Sequence, residues 1–149
     1  MTYCNLKYLT QALLIGDSTL TKNNNEMLML LEYAFDKVAN EADALKLFTT
    51  NVPEHQILRQ GPGNHFVRKP CLPITDDEEL DIDNELCYPT ARFIASFVSR
   101  EKVGMHVKEA QNLIRFYNAK VATYFETLEQ YDELAEFSET DQFAKTKYP

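Results

Sequence analysis

The chain has 149 residues, a net charge of −8 and a pI near 4.9. Its length supports one domain with its own core. The acidic balance excludes a broad phosphate-gripping face, which needs clustered Lys and Arg, and the longest nearly apolar run, "MLMLLEYAF" at Met27 to Phe35, falls well short of the roughly 20 residues of a membrane span.

The N-terminus "MTYCNLKYLTQALL" has neither a basic leader nor a small-residue cleavage site, so folding in a cytosol is expected. Thr2 is placed to cap a first helix with Leu6, Leu9 and Leu13 on one face and Gly16 as its stop. Asn23, three residues before Glu26, has capping-box spacing. Leu28, Leu31, Phe35, Val38, Ala42 and Leu45 then recur at helical intervals, which predicts a long second helix. "ALKLFTTNVP" loses that period and reads as an extended segment. "HQILRQGPGNHFVRKP" reads as a β-hairpin near residues 55–69, because Gly-Pro-Gly-Asn supplies a fixed φ and positive φ values between two strand-forming runs.

The hairpin is locally basic through Arg59, Arg68 and Lys69. Directly after it, seven carboxylates fall within ten residues: Asp76, Asp77, Glu78, Glu79, Asp81, Asp83 and Glu85. An EF-hand loop counted from Asp81 would need Gly at its sixth place and Glu at its twelfth, but Leu86 and Arg92 stand there. A third helix follows, with Ile82, Leu86, Phe93 and Phe97, alongside Cys87, Ala91, Ile94 and Val98, as its buried face and Asp81 or Asp83 as its cap. Pro89 within it predicts a kink or a start later than Asp83. The acids exceed what a helix start requires, which predicts that the surplus faces solvent or a partner.

Val103, Val107, Ala110, Ile114, Tyr117, Val121 and Tyr124 predict a fourth helix from about Lys102 to Phe125. Beyond it, seven acids face only Lys145 and Lys147, while Tyr131, Phe137, Phe143 and Tyr148 recur as separated aromatic anchors. The expected organisation is therefore a mainly α, four-helix bundle-like domain over 1–125 with one projecting β-hairpin, and an extended acidic C-terminal arm over 126–149. Cys4, Cys71 and Cys87 form no C-x-x-C pair, and His55, His65 and His106 lack ligand spacing, so neither a disulfide framework nor a zinc site is expected. No cofactor, metal or catalytic constellation is predicted, since "QGPGN" lacks the Lys-Ser or Lys-Thr ending of a phosphate-binding loop.

The order "MLMLLEYAFDKVA", "LKLFTT", "ILRQGPGNHFVRKPCLP", "DDEELDIDNEL", "ARFIASFVSR" and "NLIRFYNAK" resembles the small head-to-tail connector (adaptor) proteins of tailed bacteriophages over roughly Met27 to Tyr117. Pro89 and the acidic tail depart from that pattern. The resemblance implies a non-enzymatic virion protein of the neck region, assembled in the host cytoplasm as a ring, commonly of about twelve copies. Its implied partners are other copies of itself, the portal protein above, a downstream tail or nozzle protein below, and DNA that passes without specific binding. On this reading Arg59, Arg68 and Lys69 meet carboxylates from Asp76 to Glu85 of a neighbouring subunit, and the arm docks on the portal. Two other classes fit the same residues: a small cellular interaction or regulatory protein docking by its aromatic tail, and a metal-dependent nuclease using Asp81 and Asp83.

Overall fold

The computed structural model describes residues 1–46, 57–60 and 66–145, and their side chains at 1–46 and 67–127. The protein is mainly helical, in the order α1 (Tyr3–Leu13), α2 (Asn24–Glu41), β1 (Ile57–Gln60), β2 (Phe66–Arg68), α3 (Asn84–Val98) and α4 (Val103–Lys145).

The caps of α1 and α2 act as their spacing predicts. Thr2 Oγ1 accepts the Asn5 N–H at 3.2 Å, and Gly16, at φ 83°, occupies the left-handed region after the last turn of α1. Asn23 Oδ1 accepts the Glu26 N–H at 2.9 Å while Glu26 Oε1 accepts the Asn23 N–H at 3.3 Å, a complete capping box. Replacing Asn23 by alanine should therefore cost about 1 kcal/mol, and serine should recover most of it. Thermal unfolding of the two variants beside the parent checks this.

The buried face of α1 is turned from the expected one. Tyr3, Leu6, Thr10 and Leu14 are buried, whereas Leu9 and Leu13 pack only at its edge. Thr10 tolerates burial because its hydroxyl donates to the Leu6 carbonyl at 2.8 Å, which leaves only its methyl group to the core. In α2 the buried stripe is Met27, Leu31, Ala34, Phe35, Val38 and Ala39, with Leu28 at its margin.

β1 and β2 pair antiparallel, Gln60 opposite Phe66 and Ile57 opposite Arg68, with an irregularity between Ile57 and Arg59. The base of the hairpin belongs to the body, since Val67 is fully buried and Arg68 nearly so. The Gly61–Asn64 turn lies outside the described residues, as does the expected extended segment Ala44–Pro53 from Leu47 onward; its first residues, Ala44 to Lys46, are not helical.

α3 is the central element, buried at Leu86, Cys87, Pro89, Thr90, Ala91, Phe93, Ile94, Ala95 and Ser96 and packed against α1, α2 and α4. It begins at Asn84, directly after Asp83, and runs through Pro89. Proline there removes one ladder donor, the one facing the Glu85 carbonyl, and Glu85 is exposed enough for water to replace it. Phe97, expected in the core, is 43% exposed and meets Tyr33 edge to face at 4.5 Å.

The largest departure is at the C-terminus. No extended arm begins at residue 126; α4 continues for 43 residues to Lys145. The acidic composition argues only against a segment that must nucleate its own structure. Residues 126–145 instead propagate a helix already formed over 103–125, and propagation carries no nucleation penalty. Glu, Leu, Gln and Ala predominate there, no Gly or Pro interrupts the chain before Pro149, and repulsion between neighbouring acids costs only a few tenths of a kcal/mol per pair.

Candidate assembly surfaces

The acidic run makes its contacts within one chain. Asp76 pairs with Lys7 on α1 at 2.8 Å, Glu79 takes the Met1 amino group at 2.8 Å, and the Glu78 carboxylate accepts the Ile74 N–H at 2.9 Å. The backbone of the run adds to this hold, since the Asp76 and Glu78 carbonyls accept the Cys4 and Tyr3 N–H groups at 2.9 and 3.0 Å. Leu80 and Ile82 alternate with these acids and point into the core. The run is therefore a strap that turns at Asp76–Asp77 and then sets apolar residues inward and carboxylates outward to the elements on either side.

Asp81 carries the densest contacts. Both of its oxygens receive the guanidinium of Arg68, with Nη2 at 2.6 Å and Nη1 in direct contact. Lys46 adds an ammonium at 3.2 Å and Cys71 its N–H at 2.8 Å. Burial acts to raise the Asp81 pKa, but the bonds from Arg68 and Cys71 and the charge of Arg68 outweigh it and hold the carboxyl well below the usual range. The same pairing raises the pKa of Arg68 against its own desolvation.

The strap ends on α4. Asp83 occupies the N-cap position of α3 without bonding the helix through its side chain; its carboxylate instead accepts the Tyr117 hydroxyl at 2.7 Å. Burial, followed by this carboxylate, raises the Tyr117 pKa. Glu85 pairs with Lys120 one turn further along.

Within one chain, two of the basic residues expected to bridge subunits already hold partners. Arg68 is committed to Asp81 of its own chain, and Lys69 pairs with Glu32 on α2 at 2.9 Å. Arg68 meets Asp81 because the strap passes back beside the end of β2, and Lys69 reaches Glu32 because α2 packs nearby. Asp77 is exposed. The side chains of Arg59, Tyr131, Phe137, Phe143 and Tyr148 lie outside those described. Among the described residues no group of three His, Cys, Asp or Glu side chains is placed to hold a metal ion, and no helix is long and apolar enough to cross a membrane.

Two candidates for contacts with other molecules stand out among the described residues. One is a groove of ≈ 320 Å³ where Met29, Leu30 and Tyr33 of α2 meet Phe97 of α3, with Lys22 and Glu26 on its rim. Met29 is 72% and Tyr33 50% exposed, and a cluster of aromatic and Met side chains is the composition enriched at protein interfaces. Sequence reasoning missed this patch because Phe97 follows the buried period of α3. The available signal was Tyr33, which falls between the buried positions Leu31 and Phe35. The other surface is the far end of α4. The contacts Asp83–Tyr117 and Glu85–Lys120 mark the level at which α3 begins, and α4 runs on from Val121 to Lys145, about 36 Å at helical rise. That stretch carries seven acids and no base before Lys145.

No protein-family model, curated protein or solved structure matches the chain.

Proposed function

We propose that the protein is a structural component of a tailed-phage virion, a head-to-tail adaptor that forms a ring beneath the portal and extends the DNA exit channel. The observation that carries this reading is α4, a 43-residue helix paired with a 15-residue α3. Its distal half leaves the level of α3 as a rod able to reach a neighbouring molecule. The resemblance of the Met27–Tyr117 segment order to connector proteins supports the same reading. The surface charge agrees with it: a net charge of −8 repels the duplex that a channel must release.

On this reading the ring closes by head-to-tail contacts between different surfaces of identical copies. The Met29–Tyr33–Phe97 groove and the distal half of α4 are the two surfaces available for them, while the strap keeps each subunit folded. The same groove also suits an interaction protein that docks on one cellular partner, and oligomeric state separates the two. The full-length chain, alone and mixed with purified portal rings, should show a closed multi-copy ring by light scattering and negative-stain electron microscopy. It should release duplex DNA at physiological salt. A monomer in both samples would overturn the adaptor reading and favour the single-partner protein.

A further inference from the structure

α3 and α4 meet at a four-residue corner, 99–102, which is held from two sides. From the α1–α2 connection, Asp17 accepts the Arg100 N–H at 3.0 Å and the Ser99 hydroxyl. Ser99 Oγ in turn accepts the Lys102 N–H at 2.9 Å. One carboxylate thus sets the turn that starts α4.

From the inner side the corner rests on His106, in the first turns of α4 and fully shielded from solvent. Its Nδ1 lies 3.1 Å from Nη1 of Arg92 on α3. A guanidinium can only donate, so Nδ1 is the acceptor and the ring proton sits on Nε2, which is buried without a hydrogen-bond partner among the described residues. This arrangement suits a neutral ring only. A second proton must go to Nδ1, where it removes the acceptor and turns the hydrogen bond into a contact between two cations.

We propose that Arg92, His106 and Asp17 form a proton-operated latch at the α3–α4 corner, closed while His106 is neutral and opened when it is protonated. The charged groups facing the imidazole are Arg92 from α3, Lys102 from the corner and Asp17 from the α1–α2 connection. Two cations thus oppose one anion, and the positive end of the α4 dipole adds to them. Burial and then Arg92 lower the His106 pKa. A depressed histidine pKa stabilises the closed corner fully above the unfolded value of about 6.5, and this stabilisation is lost as pH falls below it toward the folded value. The Asp17 carboxyl is itself held down, first by its bond from Ser99. The inference does not depend on the adaptor reading.

Hydrogen exchange of the full chain at about pH 7.5 and about pH 5, corrected for intrinsic rates, tests the latch. Amides of residues 99–110 should lose protection by about tenfold or more at the lower pH, while those of Leu31 to Val38 in α2 keep theirs. His106→Phe fills the same space without titrating and should keep the corner protected at both values, and Arg92→Met should shrink the acid loss. Equal protection of the parent at both pH values would overturn the latch, as would an acid loss that both variants retain in full. Where either variant fails to fold, the imidazole titration of the parent by NMR decides. A midpoint below the ordinary histidine value is expected, and one at or above it overturns the proposal.

Discussion

Replacing Asp81 by alanine should lower the thermal midpoint by roughly 6–12 °C, from a loss of about 3 kcal/mol. The size follows from what is left behind. Arg68 has a side chain only 8% exposed and keeps no other ion-pair partner among the described residues, so its guanidinium stays desolvated and uncompensated. Cys71 N–H and Lys46 lose their acceptor in the same step. The Arg68→Met, Asp81→Leu double variant removes both charges and should recover most of the loss, because an apolar pair of similar volume avoids the desolvation cost. Exposed pairs of the same strap, Lys7–Asp76 and Lys120–Glu85, should change the midpoint little when broken.

Acid should expose the same contact with a definite sign. The folded Asp81 pKa is depressed, so its stabilisation is complete above the unfolded value of about 4 and is lost as pH falls through the folded value. Melting curves of parent and Asp81→Ala should therefore differ most near neutrality and converge in strong acid. A constant difference across that range would show that the carboxylate charge is not what Arg68 requires.

On the proposed adaptor reading, deleting residues 126–149 should leave the body folded and reduce attachment to purified portal rings by more than tenfold. Among the described residues the buried core ends at Val121, with Tyr124 and Phe125 packed against it, so the cut removes none of those core residues. Each of Tyr131, Phe137, Phe143 and Tyr148 could contribute about 1.5–3 kcal/mol if buried on a partner, before the cost of ordering is subtracted. Several together would hold an assembly that one could not. Co-sedimentation with portal rings, beside the melting temperature of the truncated chain, separates the outcomes. A folded truncation that binds as well as the parent would leave the distal half of α4 without a docking role. An unfolded one would move that half into the stability of the body.

What was legible in the sequence was local. The Thr2 cap, the Asn23–Glu26 box and the helical period of α2 and α4 involve residues within four positions of one another, and such interactions form whatever the rest of the chain does. The helices follow from signals of this kind. The continuation of α4 is local too, but an acidic composition argues against helix only for a segment that stands alone, not for one at the end of a formed helix. Tertiary structure decided which face each helix buries and which partner each charge meets. Thr10 entered the core and Phe97 left it because three helices crowd α3. Asp81 found Arg68 at 13 positions' distance, Glu85 found Lys120 at 35 and Glu79 the Met1 amino group at 78. A carboxylate accepts from any donor brought to it, so its partner is set by which elements meet in space, and charge order along the chain does not encode that.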